Sequence, residues 1–257
     1  FAKQETFKRL HDGEVGDIVA LECTYNTGGL WHRGRKPEWS DMEYQMRNWY
    51  YFNWLCGDHI TEQHIHNLDV ANWVKGGPPL TAQGQGGRQV RDGIDHGEIY
   101  DHHFVEYTYP SGAVVASQCR HQPGTMYRVG ECFQGTAGSV ETNDAGVAKI
   151  FDLEGKEQAA IANSEGHNPY QEEHNRLFAS IREGGQINDA YNGAKSTLTA
   201  IMGRMATYSG QVIGWDEAMN SEVRLMPETV SWETTPPSLP DADGKYPVPM
   251  PGQYQAV

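Results

Sequence analysis

The stretch FVEYTYPSGAVVASQCR, residues 104–120, decides the fold. It holds two runs in which apolar and polar residues largely alternate, Phe104–Tyr109 and Ala113–Arg120, and such runs are typical of β-strands. Between them, Pro110 suits the second position of a β-turn and Gly112 suits the fourth. We therefore predict a β-hairpin, and with it an antiparallel sheet.

Further short strands are predicted on both sides of the hairpin, where apolar residues alternate between glycines. They are Asp17–Tyr25, Tyr127–Phe133, Ser139–Glu141 and Val147–Phe151. The segment Lys75–Gly97 is rich in glycine and proline, and we expect a long loop there.

Helices are predicted where apolar residues recur at spacings of three and four. They cover Lys3–His11, two segments of Asp41–Val74 that break near Cys56–Gly57, a helix that begins at Asn168-Pro169, and Asn188–Ser209. This order predicts an α+β fold, with a large, mostly antiparallel sheet and helices on one face. We expect residues 1–220 to form this domain and residues 221–257 to form a proline-rich extension on its surface.

Composition excludes several classes of protein. The 257 residues carry 20 Lys and Arg against 34 Asp and Glu, a formal net charge of −14. Such a surface repels nucleic acid and anionic lipid, so we expect neither as a partner, whereas a neutral carbohydrate fits. There is no run of apolar residues long enough to span a membrane. The four cysteines show no CxxC spacing and leave the redox compartment open.

Ionisable side chains concentrate in CGDHITEQHIHNLD, residues 56–69. On one continuous helix, His59, Glu62, His66 and Asp69 would share a stripe. Two imidazoles and two carboxylates can move protons. Alternatively, His59, Glu62 and His66 can ligate a divalent metal ion, or the stripe is a polar face that internal hydrogen bonds satisfy.

Several nucleotide and hydrolase motifs are missing from the sequence. It has no P-loop, no GxSxG and no HExxH. The glycines of residues 84–87 lie in the predicted loop and open no helix, so they do not form a dinucleotide fingerprint. No nucleotide-binding domain is therefore predicted within this chain.

The 56–69 segment resembles the substrate-domain motif of the Gfo/Idh/MocA oxidoreductases, a Gly-rich start, Asp, three residues, His, two residues and Asp. Glu62 stands at the first Asp of this pattern, His66 at the catalytic His and Asp69 at the second Asp, while Cys56-Gly57-Asp58 replaces the glycines. The resemblance extends to the Gly135–Gly138 turn, the helix after Asn168, the helix that ends at Gly210, and Gly214-Trp215-Asp216.

The resemblance implies a protein of two domains, of which this chain is similar to the second. A Rossmann domain would bind NAD or NADP, and the α+β domain would bind a carbohydrate-like substrate and form a homo-oligomer through its sheet face. Since the sequence holds no dinucleotide fingerprint, the resemblance implies that the nucleotide domain is missing from it; the chain begins with Phe1 and not with Met, so we expect its natural start to be missing too. The isolated chain would then be inactive with NAD(P). The compartment stays open between bacterial cytoplasm and periplasm.

The resemblance also implies residue roles. His66 would accept the proton of a sugar or polyol hydroxyl, with Glu62 orienting it. Further candidates for contact with the substrate are Trp31, Asp58, His59, Arg88, His102, Arg120 and His121. Two other functions remain open, namely a metal-dependent lyase or hydrolase that uses His59, Glu62 and His66, and a non-catalytic carbohydrate-binding or oligomer-forming module.

Overall fold

The computed structural model describes residues 2–257, so Phe1 of the predicted domain lies outside the described residues. The helices are α1 Ala2–His11, α2 Asp41–Arg47, α3 Asn53–Cys56, α4 His59–Glu62, α5 Ile65–Lys75, α6 Pro169–Glu183, α7 Ala190–Ser209 and α8 Trp215–Met219, with a 3-10 turn at Trp49–Tyr51. The strands are β1 Ile18–Thr27, β2 Thr81–Gly87, β3 His102–Thr108, β4 Val114–His121, β5 Arg128–Gly135, β6 Ser139–Thr142, β7 Val147–Phe151, β8 Glu157–Ala162 and β9 Ile213–Gly214.

All these strands form one sheet, in the order β8-β7-β6-β5-β1-β4-β3-β2-β9. Neighbouring strands are antiparallel except for β1 and β4, which are parallel. The predicted hairpin is confirmed: β3 pairs with β4, and Phe104 lies opposite Gln118. The mostly antiparallel α+β fold is likewise confirmed.

Helices cover one face of the sheet, and the main core lies between the two layers. On β4, Val115, Ser117, Cys119 and His121 are buried, whereas the intervening residues are more exposed. Successive residues of a strand point to opposite faces, so this pattern separates a covered face from an open face. The long helix α7 contributes Met202, Met205 and Tyr208 to the buried interior, as its apolar spacing predicts.

The sequence prediction of a loop over Lys75–Gly97 is wrong for its central part, where β2 pairs with β3. A Cβ atom added at Gly84 or Gly86 would collide with a backbone carbonyl of β3. The strand therefore needs glycine for close approach, although glycine weakens the strand signal in the sequence. The short edge strand β8 was not predicted.

The segment that follows Gly57 does not form one helix. Gly57 adopts a left-handed conformation (φ 72°) and ends α3, and Asp58 then caps the one-turn helix α4. The backbone is distorted at Gln63 (φ −115°, ψ −48°) while it stays in the right-handed α region; α4 ends at Glu62 and α5 begins at Ile65. The predicted stripe of four side chains is therefore divided between two short helices.

Residues 221–257 contain no helix or strand and run along the described domain. Gly252 donates a backbone hydrogen bond to Ser209, and the Tyr100 hydroxyl donates to the carbonyl of Pro249. Tyr246 of this segment is buried. The four cysteines are all free, and none of the helices within residues 2–257 combines the length and apolar character of a membrane span.

Candidate functional site

The break between α4 and α5 divides the polar motif into two parts with different environments. The buried half consists of Asp58 and His59, both with 0% exposure. The open half consists of Glu62, Gln63 and His66, where His66 is exposed and the other two are partly buried. Only the open half can meet a ligand from solution.

The Asp58 carboxylate is the centre of the buried half. Its Oδ1 accepts hydrogen bonds from the backbone and the ring Nδ1 of His59, at 2.5 and 2.8 Å. Its Oδ2 accepts from the Tyr100 backbone N–H at 2.9 Å and from the Tyr208 hydroxyl at 2.5 Å. Asp58 is also the one described non-glycine residue with positive φ (71°), a conformation that costs about 1–3 kcal/mol. The hydrogen bonds therefore hold the backbone in a strained state.

Three imidazoles surround this carboxylate on the covered face, and we call them the imidazole cluster: His59, His103 and His121. The His59 ring centre lies 4.8 Å from that of His103 and 4.7 Å from that of His121. His103 Nε2 lies 3.3 Å from Asp58 Oδ2. Because His103 belongs to β3 and His121 to β4, the sheet brings together residues that are distant in sequence.

Burial sets the charge state of these groups. It works against ionisation of Asp58, but His103 and His59 outweigh it and hold the pKa of that carboxyl well below its usual range. Burial lowers the pKa of His59 to about 4 and that of His121 to about 2. It also lowers the pKa of His64, which bonds Ser117 Oγ at 2.7 Å, to about 3. At neutral pH, His59, His64 and His121 are therefore neutral.

Asp58, His59 and His103 also form the group of described residues whose ligand atoms, within 4.8 Å of one another, could hold a metal ion. However, both Asp58 oxygens already accept two hydrogen bonds from the protein. The expected metal ligands His59, Glu62 and His66 do not form such a group, because His59 is enclosed and His66 is exposed. The predicted metal site is thus not assembled.

The open half lies where α4 meets the 3-10 turn. Burial raises the pKa of the Glu62 carboxyl, and the neighbouring Tyr50 hydroxyl works against that rise. Glu62 Oε2 has no hydrogen-bond partner among residues 2–257. His66, in the first turn of α5, is not hydrogen bonded to Glu62 in the structure. The Glu62 Oε2 atom is itself buried, whereas His66 is exposed and open to an added partner.

Aromatic rings form a surface near the 3-10 turn. Trp31 is 40% exposed, and its ring centre lies 5.8 Å from that of Trp49 and 6.4 Å from that of Tyr51. The Arg33 guanidinium lies over the Trp31 ring at 5.0 Å. An exposed ring of this kind can stack on the apolar face of a sugar.

The remaining predicted contacts lie elsewhere. Arg88 donates to the carbonyls of Arg91, Gly93 and Gly97 and thus holds its own loop together. His102 and Arg120 are cross-strand partners on the open face of the sheet.

Three expected contacts are enclosed by protein. Asp58, His59 and His121 are at most 1% exposed, so none of them is open to a substrate. Arg120 and His121 were expected at one site, but strand alternation puts them on opposite faces.

Sequence reasoning did not assign His103, Tyr208 or Gln63 to the site. Strand alternation could have separated His103 from His102 and grouped it with His121. Tyr208 ends the apolar stripe of α7, and nothing in that pattern indicates that its hydroxyl bonds a carboxylate. Gln63 could be found only once the helix break was known.

The chain is similar to known proteins both in sequence and in fold. A sequence model described as the GFO/IDH/MocA C-terminal domain matches residues 4–141. No curated protein sequence matches the chain. Among solved structures, levoglucosan dehydrogenase in complex with NADH and levoglucosan is 15% identical, with a TM-score of 0.63 over 83% of this chain and 62% of that one.

Two further structures give similar values. The aldose-aldose oxidoreductase from Caulobacter crescentus, complexed with glycerol, is 17% identical, with a TM-score of 0.64 over 82% of this chain and 60% of that one. An oxidoreductase from Agrobacterium radiobacter, in complex with NAD+, L-tartaric acid and magnesium, is 13% identical, with a TM-score of 0.59 over 84% and 62%. The chain therefore spans about 60% of the length of these structures, and at such identities the likeness establishes the fold.

Proposed function

Because the chain belongs to the GFO/IDH/MocA family through its C-terminal domain, we propose that it is the substrate-binding and catalytic half of an NAD(P)-dependent oxidoreductase. Its substrate would be a hydroxyl of a sugar, glycoside or polyol. One observation carries this proposal: of the histidines in the family-like motif, His66 is the exposed one. An exposed imidazole is placed to take a proton from a bound hydroxyl group.

The nicotinamide cofactor would be bound mainly by residues outside this chain. The glycines at 84, 86 and 87 lie within β2, paired with β3, and do not form a phosphate-binding turn before a helix. When bound, the cofactor would accept the hydride of the carbinol. We therefore expect the isolated chain to be inactive with NAD(P).

The chain's own residues would manage the proton. His66 Nε2 or Nδ1 would accept the hydroxyl proton as the carbonyl forms. Glu62, in the preceding helix α4, would orient or polarise His66, and burial raises the pKa of its carboxyl. Trp31 would provide a stacking surface.

The test is His66→Ala in a protein that also contains a nucleotide-binding domain. We expect kcat for NAD(P)-linked polyol oxidation to fall about 10²- to 10⁴-fold, with KM nearly unchanged. His11→Ala, at the exposed end of α1, is the matched control. Equal losses in kcat and in substrate binding, or no loss, would overturn the assignment of His66 as base.

The two alternative functions would require different properties of the protein. A metal-dependent lyase or hydrolase needs its ligands together, and the expected set is divided between the core and the surface. Metal analysis of the purified protein distinguishes it from the oxidoreductase. A non-catalytic module would bind sugars calorimetrically yet show no nicotinamide-linked turnover.

We further propose that the open sheet face forms a homo-oligomer. Phe104 and Val114 are exposed there, 37% and 39%. Apolar side chains on an uncovered sheet face are typical of an interface. Light scattering after chromatography should show an oligomer that Phe104→Asp converts to a monomer; a monomeric wild type would refute the proposal.

We also propose that residues 221–257 form a surface extension of the domain.

A further inference from the structure

One side chain of the open half is held in a fixed orientation by a buried hydrogen-bond relay. The relay runs from Asp101 through the loop of residues 88–97 to Arg91, His121 and Gln63. Each step follows from which atoms can donate and which can accept.

The relay begins with a carboxylate that folds a loop. Asp101 Oδ2 accepts backbone N–H bonds from Gln89, Val90 and Arg91 at 2.7, 2.6 and 3.2 Å. From within the loop, Arg88 binds three of its carbonyls. Hydrogen bonds thus hold both the backbone N–H groups and the backbone carbonyls of the loop, and they fix the position of Arg91.

Arg91 then determines the tautomer of His121. Its Nη1 donates to the Tyr100 carbonyl at 2.9 Å, and its Nη2 lies 2.8 Å from His121 Nδ1. A guanidinium has donors only, so His121 Nδ1 must carry the lone pair. Burial lowers the pKa of His121 to about 2, so the ring is neutral and its single proton is on Nε2.

His121 in turn orients the amide of Gln63. His121 Nε2 lies 3.0 Å from Gln63 Oε1 and donates to it. A carbonyl oxygen can accept that proton and an amide NH2 group cannot, so the side-chain orientation is determined by chemistry. No residue among 2–257 accepts a hydrogen bond from Gln63 Nε2, and Gln63 is only partly buried, so this atom remains a free donor.

We propose that Gln63 is a substrate-positioning residue that donates a hydrogen bond from Nε2 to an oxygen of the sugar or polyol. This inference rests on the proposed function. Arg91 and His121 act through Gln63 and do not touch the substrate.

The first experiment measures the relay in the unliganded chain, without any substrate. In ¹⁵N NMR spectra of the His121 ring, Nδ1 should show the shift of an unprotonated nitrogen and Nε2 that of a protonated one, from pH 5 to 8. Arg91→Met should populate the other tautomer. A proton on Nδ1 in the wild type would overturn the relay, even if the variant fails to fold.

The second experiment titrates levoglucosan, a rigid neutral sugar, and follows both Gln63 and His66. We expect the Gln63 side-chain NH2 resonances to shift, and Gln63→Leu to weaken binding about 3- to 10-fold, the loss of one hydrogen bond. Gln211→Leu, at an exposed glutamine, is the matched control and should bind as the wild type does. In the complete enzyme, Gln63→Leu should raise KM by a similar factor and change kcat less.

The outcomes separate the two proposals. A response at His66 without one at Gln63, or an unchanged affinity in Gln63→Leu, overturns the role of Gln63 alone. If neither residue's resonances shift during the titration and His66→Ala keeps full turnover, the proposed function is overturned, and this inference with it.

Discussion

His59 and His66 belong to one short motif, and their environments are opposite. His59 is fully enclosed, bonded to Asp58 and packed between two other imidazoles, and burial lowers its pKa to about 4. His66 is exposed at the start of the next helix. The two residues lie on different short helices, α4 and α5, which are separated by the distortion at Gln63.

The comparison shows that the same residue type serves two purposes. In the buried half, the Asp58 carboxylate accepts hydrogen bonds from His59, Tyr100 and Tyr208 and holds a strained backbone, so its loss should reduce stability. In the open half, Gln63 Nε2 lacks a partner and His66 is exposed, so their loss should reduce binding or turnover while the fold remains. The predictions below test this division.

The largest effect on stability is expected for Asp58→Ala. It leaves the His59 ring, the Tyr208 hydroxyl and two backbone N–H groups without their acceptor, and it removes the carboxylate that lies 3.3 Å from His103 Nε2. The strained φ of 71° remains. Removing one partner from a buried ionic network costs about 3–5 kcal/mol of unfolding free energy. Urea denaturation followed by circular dichroism measures it.

Asp58→Gly separates the two causes. Glycine also removes the carboxylate but adopts positive φ without strain, so it should be about 1 kcal/mol more stable than the alanine variant. Equal stabilities of the two variants would mean that the backbone at position 58 is not strained. A loss below 1 kcal/mol in both would contradict the role of the buried half.

Another buried carboxylate, that of Glu98, should behave in the opposite way, because burial outweighs the hydrogen bonds that it accepts. It is 8% exposed, its Oε1 accepts from the Asn53 N–H at 2.9 Å, and burial raises its pKa to about 7. Between the unfolded pKa of 4.5 and the folded value of about 7, the unfolded state loses its proton first. The contribution of Glu98 to stability therefore falls as pH rises through this window, by up to about 3 kcal/mol.

Glu98→Gln removes this penalty while keeping the shape of the side chain. The variant should be about 2 kcal/mol more stable than the wild type at pH 8 and about equal to it at pH 4.5. Glu228→Gln, at an exposed glutamate, serves as the control and should be neutral at both pH values. A Glu98→Gln variant that is less stable at pH 8 would show that the carboxylate is stabilised in the fold.

The sequence predicted the architecture better than the site, for physical reasons. Hairpin turn residues and helix spacing are local signals, so β3, β4 and α7 were predicted close to their observed bounds. The position of β2 was missed because its glycines serve a contact with β3 that no local pattern shows. The cluster of His59, His103 and His121 depends on strand pairing and on the break at Gln63.

The smallest effect on stability is expected for His66→Ala, the variant with a large expected effect on turnover. His66 is exposed, and removing an exposed side chain changes the unfolding free energy by no more than about 0.5 kcal/mol. His59→Ala is the matched comparison, since it removes the same side chain from the buried half and should cost several times as much. Urea denaturation of the two variants at pH 7 measures the difference. If His66→Ala were as destabilising as His59→Ala, His66 would belong to the folded network, and a loss of turnover in that variant would no longer identify it as the base.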